Sequence, residues 1–330
     1  MAAAIPEPPQ QTVDAIMAAI EAEHAERPVY TGYGISASAL GSPCDRKLWL
    51  DLRWASAPEV MTGRKLRIFQ RGNAAEDRII ADMRRAGIDV EDADPVTGRQ
   101  WRISLASGWL RGRADGIARG VPEAPKAAHV VEIKCIKAAD WRAIQKHGLR
   151  DKKPEHWHQL HAGMAGLGID RGLYIAENAD TMELLAERLH FDGEESARQE
   201  ARVMRAVEDH EPPLGMLGEA TTEKKAEKIA ATPPCRFCDH RAICFEGAFA
   251  LRSCRTCAHW TFGEDGNGHC ERFDEPRTPA RQRDGADCPA HLFLPAIVPG
   301  EQTDADPEAE TITYTLRDGS TWIDGARKEH

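Results

Sequence analysis

Apolar positions recur at helical spacing in some stretches of the chain and alternate with polar ones in others. Over residues 10–26, Val13, Ile16, Met17 and Ile20 fall three and four apart, which predicts an amphipathic helix. A turn-rich stretch with Gly32, Gly34, Gly41 and Pro43 then leads to Cys44 and a helix in DRKLWLDLRW. Residues 66–86 predict a stronger helix, with Ile68, Phe69, Ile79, Ile80 and Met83 as its buried face and Gly87 as its stop. Extended segments follow at 101–106, 109–117 and 129–136, separated by Gly and Pro. The last, HVVEIKCI, carries the continuous apolar run of a central strand. Helices at 138–146 and 155–166, strands at 172–176 and 182–190, and a long helix at 194–209 complete the pattern. Beyond Pro212 the character changes to cysteines and turns, and a module boundary is expected there. The final ITYTLRDGSTWIDG predicts a hairpin turning at Asp318 and Gly319, reached through a flexible acidic linker.

A chain of 330 residues holds one sizeable α/β core plus an appended module. Its apolar runs fall short of the roughly 18 residues that span a bilayer, so a membrane partner is not expected. MAAAIPEPPQ shows no basic region followed by an apolar stretch, and the expected location is cytoplasmic. Most of the nine cysteines lie in tight groups, which in a reducing compartment points to metal ligands rather than disulfides. The net charge of −10 argues against nucleic acid as a partner, but the distribution reverses that argument. Arg64, Lys65, Arg67 and Arg71 form one basic cluster, Arg111 and Arg113 another, and Lys146, Arg150, Lys152 and Lys153 a third. Residues 301–310 are acidic without a basic residue and inflate the negative total.

The chemistry concentrates in GRADG and VVEIKC. Side chains alternate along a strand, so Glu132 and Lys134 share one face while Val131, Ile133 and Cys135 take the other. Asp115, between Ala114 and Gly116, reaches Glu132 if its strand pairs with that one. Two carboxylates and the backbone carbonyl of Ile133 suit a hard cation, Mg²⁺ or Mn²⁺, with Lys134 to position a water and offset developing charge. Taken alone, Asp and Glu-x-Lys also describe a solvated cross-strand pair. The context adds Gly72, Asn73 and Glu76 on the preceding helix and Gln159, in HWHQLHAG, on the following one.

That ordered set resembles the RecB-like and phage recombination-type nucleases of the PD-(D/E)xK superfamily, over roughly residues 30–244. The resemblance implies an α/β, restriction-endonuclease-like core, a mixed central sheet flanked by helices. It makes Asp115 and Glu132 the metal ligands, Glu76 the assisting helix carboxylate, Lys134 the catalytic lysine and Gln159 an orienting group for Lys134 or a phosphate. Two positions depart from the family pattern: Ala75 stands where many members carry a ligating His, and Gly163 where many carry Tyr. Helical spacing puts His158 and His161 on one face and His156 elsewhere, as helix-surface or substrate-proximal residues rather than ligands.

Cys235, Cys238 and Cys244, with Cys44 far upstream, offer four thiolates that suit either zinc or an iron-sulfur cluster. Spacing does not choose between them; the resemblance implies a 4Fe-4S cluster. Cys254, Cys257, Cys270 and Cys288 form a second group, expected to bind zinc, with His259, His269 and His291 nearby keeping a mixed Cys-His set open. The expected organisation is an N-terminal helix at 1–29 and a nuclease core at 30–250 closed by the first cluster. A C-terminal cysteine-rich, zinc-binding-like module at 251–295 and an acidic linker with C-terminal hairpin at 296–330 follow.

The function these readings support is metal-dependent hydrolysis of DNA phosphodiesters, by an exonuclease or end-processing enzyme of phage or bacterial recombination and repair. Its substrate would be linear duplex ends or single strands. The alternative is a catalytically weak DNA-binding or assembly factor that retains the fold; a site-specific endonuclease is a third reading. The chain has no GxxxxGK[ST] phosphate loop, so a helicase partner would be a separate protein. A single-strand annealing partner follows from the resemblance alone, and a homo-oligomer stays open.

Overall fold

The computed structural model describes residues 10–26, 33–57 and 60–325; Gly32 and the expected boundary at 29/30 lie outside the described residues. Helix α1 (Gln11–Ala25), strand β1 (Ile35–Ser36) and helices α2 (Asp45–Leu52) and α3 (Gly63–Arg85) come first. Strands β2 (Asp89–Glu91), β3 (Trp101–Leu105), β4 (Leu110–Ala114), β5 (Gly116–Arg119) and β6 (His129–Ile136) follow. Helices α4 (Ala138–His147), α5 (Leu149–Lys152) and α6 (Pro154–Leu167) lead to β7 (Arg171–Asn178), β8 (Leu184–His190) and α7 (Gly193–Glu208). The remainder holds α8 (Glu223–Ala231), α9 (Arg241–Phe245), β9 (Trp260–Phe262), β10 (Gly268–Cys270) and β11 (Glu275–Arg277). Strands β12 (Gly300–Asp306), β13 (Thr311–Leu316) and β14 (Thr321–Asp324) end it.

The fold is mixed α/β. Its central sheet runs β2-β5-β6-β7-β8, with β6 and β7 parallel and the other pairs antiparallel. A parallel pair needs a crossover, and α4 to α6 supply it. Val131, Ile133, Leu173 and Ile175 point to one face and pack with Ile79, Ile80 and Met83 of α3. Val130, Tyr174 and Ala176 point to the other and pack with Trp141, Trp157 and Leu160 of α4 and α6. The period-2 pattern of HVVEIKCI thus feeds two cores at once.

Several local expectations change. The single strand expected at 109–117 breaks at Asp115: β4 joins a separate sheet, β1-β4-β3, and β5 enters the central one. Helix α3 buries Leu66, Ala75, Ile79, Ile80 and Met83, but Ile68 and Phe69, expected in that face, are about half exposed. The N-terminal half of α3 packs on α1, where Gly63 donates its N–H to Glu21 Oε1 at 2.6 Å and lies against Met17. Helix α1 forms as expected yet fully buries none of its residues. The acidic stretch is not a flexible linker; β12 pairs with β13, and the expected hairpin is a three-stranded sheet turning at Gly319, φ +83°. Acidic side chains on an exposed edge strand oppose pairing with another chain.

The C-terminal region shares a core with the N-terminal one. Trp49 and Leu50 of α2, Val203 of α7, and Phe293, Leu294 and Tyr314 belong to one buried cluster. Gly41, just before α2, lies so close to α6 that a Cβ there would come within 2.2 Å of the Glu155 Cα. Among the described residues, no helix is long and apolar enough to cross a membrane.

Candidate active site and cysteine clusters

Asp115 sits where the chain passes from one sheet to the other. Its N–H donates to Val131 O at 3.2 Å, and its Oδ2 accepts from the Ile133 N–H at 2.7 Å. A strand residue's N–H and C=O point to the same side, so the Ile133 carbonyl also faces the edge that Asp115 occupies. Glu132, next along β6, is 1 % exposed, and its Oε1 contacts Lys134 Nζ as an ion pair. That oxygen makes no hydrogen bond of good geometry. Glu76, on α3, accepts from Gln100 Nε2 at 3.2 Å.

These groups act on one another. Burial pushes the Glu132 carboxyl up to about 8, against the pull of Lys134 and with a further push from Asp115. Burial and Asp115 push Glu76 up to about 7. Asp115 is raised by burial, in opposition to Lys134 and the Ile133 amide. Burial would lower Lys134, but Glu132, Asp115 and Glu76 outweigh it and hold the ammonium protonated. Three carboxyl groups around one ammonium leave the site short of positive charge, and Glu132 has a buried oxygen with an open lone pair. Oxygen donors with unmet charge are what a hard divalent cation requires, so this donor set fits Mg²⁺ or Mn²⁺.

Arg111 and Arg113 lie on β4, two residues apart in step with Asp115. Arg113 stands directly opposite Arg102 of β3, and both are exposed. Like charges at opposed positions repel, which an intervening anion relieves. Arg113 Nη1 also reaches Gln100 Oε1 at 3.5 Å, so Gln100 joins this basic face to Glu76. In the third basic cluster, by contrast, Lys153 pairs with Asp140 at 3.0 Å and Arg150 lies 4.6 Å from the centroid of the Trp157 ring.

Gln159 is half-buried on α6 and makes no hydrogen bond to Lys134. The group on α6 that does meet the neighbourhood of Lys134 is His156, whose Nδ1 lies 2.9 Å from Tyr174 Oη. Tyr174 is opposite Glu132 in the β6–β7 register. Sequence reading had no means to single out Tyr174 or Gln100: one sits in an apolar strand, the other in a turn. His158 and His161 line a different small cavity, facing Glu195 of α7.

Cys44, Cys235, Cys238 and Cys244 all line one cavity of about 20 Å³. His240, beside them, is turned away by Asp51 and Ser56, each at 2.8 Å. Cys254, Cys257, Cys270 and Cys288 line a second cavity of about 30 Å³, together with His291, whose buried Nδ1 has no partner. Burial raises the Cys238 and Cys254 thiols to about 11, so both are neutral. Among the described residues no group of three or more His, Cys, Asp or Glu is drawn together as a finished metal site. Thiols become metal ligands when a metal replaces their protons. The donor chemistry of both quartets therefore fits a thiophilic metal.

No protein-family model and no curated protein matches the chain. Among solved structures it is similar to LHK-Exo in complex with dAMP, at 19% identity and a TM-score of 0.38 over 52% of this chain and 85% of that one. A second structure of LHK-Exo, an alkaline exonuclease from Laribacter hongkongensis, gives 17%, 0.37, 58% and 90%. A phage related exonuclease from Haemophilus somnus gives 13%, 0.38, 53% and 92%.

Proposed function

We propose that this protein is a Mg²⁺- or Mn²⁺-dependent nuclease that hydrolyses DNA phosphodiesters, acting at linear ends as an exonuclease or end-processing enzyme of phage or bacterial recombination and repair. The observation that carries this reading is the charge-deficient cluster of Glu76, Asp115, Glu132 and Lys134 at the end of an arginine-bearing sheet. Asp115, Glu132 and the Ile133 carbonyl would hold the cation, which supplies Lewis acidity to the phosphate and acidity to a water. In hydrolysis a water oxygen bonds to phosphorus as the bond to the leaving sugar oxygen breaks. Lys134, protonated, donates to the attacking water or to a phosphoryl oxygen rather than taking a proton. Glu76, the assisting carboxylate on α3, would accept the water's proton. Arg102, Arg111 and Arg113 would neutralise backbone phosphates beside it.

The two quartets extend the proposal. Cys44, Cys235, Cys238 and Cys244 would hold a 4Fe-4S cluster, and Cys254, Cys257, Cys270 and Cys288 a zinc ion, with His291 an alternative ligand. Both are structural, joining distant stretches of chain. A cytoplasmic setting and a separate helicase or single-strand annealing partner belong to the same reading, as does Gln159 orienting the substrate.

The test is cleavage of end-labelled linear and closed circular DNA with Mg²⁺ or Mn²⁺ by anaerobically purified protein, with metal content measured on the same sample. Linear DNA is expected to be degraded, and Glu132→Ala and Lys134→Ala each to abolish it. Metal-loaded wild type that leaves both substrates intact overturns the reading in favour of a DNA-binding or assembly factor.

A further inference from the structure

Helix α6 brings His156, rather than Gln159, to the neighbourhood of Lys134. His156 is half-buried, and its ring stacks on Tyr174 with centroids 5.7 Å apart and planes 30° from parallel. Tyr174 is fully buried, and its hydroxyl makes one hydrogen bond among the described residues, to His156 Nδ1 at 2.9 Å. A buried hydroxyl left without an acceptor for its proton is costly, so the Tyr174 O–H donates and Nδ1 accepts. That fixes the tautomer: the proton of the neutral ring sits on Nε2. Among the described residues Nε2 has no hydrogen-bond partner, and it is not a buried orphan.

The surroundings define what this donor meets. Lys134 and Lys153 both bear on the His156 ring, and with burial they keep it uncharged; Asp140 is the acid that faces it. Glu132 bears in turn on Tyr174, its register partner. Lys134, with its partner Glu132, and Tyr174 thus share the α6 side of the sheet with the neutral His156 ring, while Lys153 pairs with Asp140 at 3.0 Å and Glu155 at 3.4 Å. A neutral N–H that reaches solvent beside Lys134 is a donor for an anionic oxygen.

We infer that His156 donates its Nε2–H to a nonbridging oxygen of the scissile phosphodiester beside Lys134, with Tyr174 as the positioning residue that locks its tautomer. This inference rests on the nuclease reading above. A fixed neutral donor aimed at an oxygen whose charge grows in the transition state acts on kcat rather than on KM. Its loss is expected to cost roughly 10² in kcat.

The experiment measures steady-state cleavage by wild type, His156→Ala, His156→Gln, Tyr174→Phe and the His156→Ala/Tyr174→Phe double variant, each checked for an unchanged near-ultraviolet circular dichroism spectrum. Expected are a kcat loss for His156→Ala with KM nearly unchanged, substantial recovery in His156→Gln through its amide donor, and a smaller loss for Tyr174→Phe. In the double variant the tyrosine loss should vanish, because the hydroxyl acts through the imidazole. A His156→Ala enzyme with wild-type kcat, or losses that simply add, overturns the inference while leaving the nuclease reading standing. A wild type without activity removes both, and is told apart by that result alone.

Discussion

Glu132 has one neighbouring cation and two neighbouring acids, and that imbalance gives the metal-free protein a pH dependence. Glu76 and Glu132 bind their protons more tightly in the folded chain, at about 7 and about 8, than at the ordinary glutamate value of 4.5. Between those limits the folded state holds more protons than the unfolded one, so stability falls as pH rises. The contribution is complete below about 4.5 and lost by about 8, whereas Lys134, raised from 10.5, matters only at higher pH. Thermal unfolding in chelator should therefore drop by several degrees between pH 5 and 9, and less in Glu132→Gln. A midpoint that is flat or rising over that interval contradicts the charge balance. At this scale the sequence marked Asp115, Glu132, Lys134 and Glu76 by residue type and order. It missed Gln100 and Tyr174, whose partners lie 24 and 18 residues away and reach them through the fold.

At the scale of elements, α3 departs most from its sequence pattern. Its C-terminal half buries Ile79, Ile80 and Met83 against the sheet, while its N-terminal half packs on α1 and leaves Ile68 and Phe69 about half exposed. Phe69 lies seven residues before Glu76, so the two share one stripe of the helix, about 10 Å apart along its axis. Arg64, Arg67 and Arg71 are exposed on the other side of the helix. A half-exposed aromatic on the stripe that carries Glu76 is a surface on which a nucleobase stacks. Phe69→Ala is expected to shift stability by less than about 0.5 kcal/mol. It should weaken DNA binding roughly tenfold, as a lost stacking contact does. Fluorescence anisotropy with labelled DNA, beside a thermal melt, reads both; unchanged affinity removes Phe69 from the interface.

Across the whole molecule, the C-terminal region is tied to the rest by Arg255, which is fully buried. Its guanidinium donates to Tyr33 O at 2.8 Å, Leu52 O at 2.7 Å and Gln282 Oε1 at 2.7 Å, and lies 3.8 Å from the centroid of the Trp54 ring. One side chain thus satisfies acceptors from the beginning and the end of the chain. Burial, with Arg283 and Arg53 nearby, draws its guanidinium down to about 9, which still leaves it protonated at neutral pH. Arg255→Ala leaves those acceptors buried without a donor and is expected to cost roughly 3–5 kcal/mol. Chemical denaturation would show this as a large fall in midpoint, and a variant as stable as wild type would mean the two regions are joined by something else.

The sequence by itself determined which strand is central and which of its faces carries Glu132 and Lys134, because alternation is a local property of an extended chain. It also set the helix order and grouped the cysteines, since spacing and residue type are written directly in the chain. The tertiary structure alone decided that the strand expected at 109–117 divides at Asp115, that α3 leaves Ile68 and Phe69 half exposed, and that the acidic stretch pairs as β12. Each of these depends on whether a distant element is there to accept a backbone hydrogen bond or cover an apolar side chain. Periodicity says that a face can be buried; the partner across the fold determines whether it is.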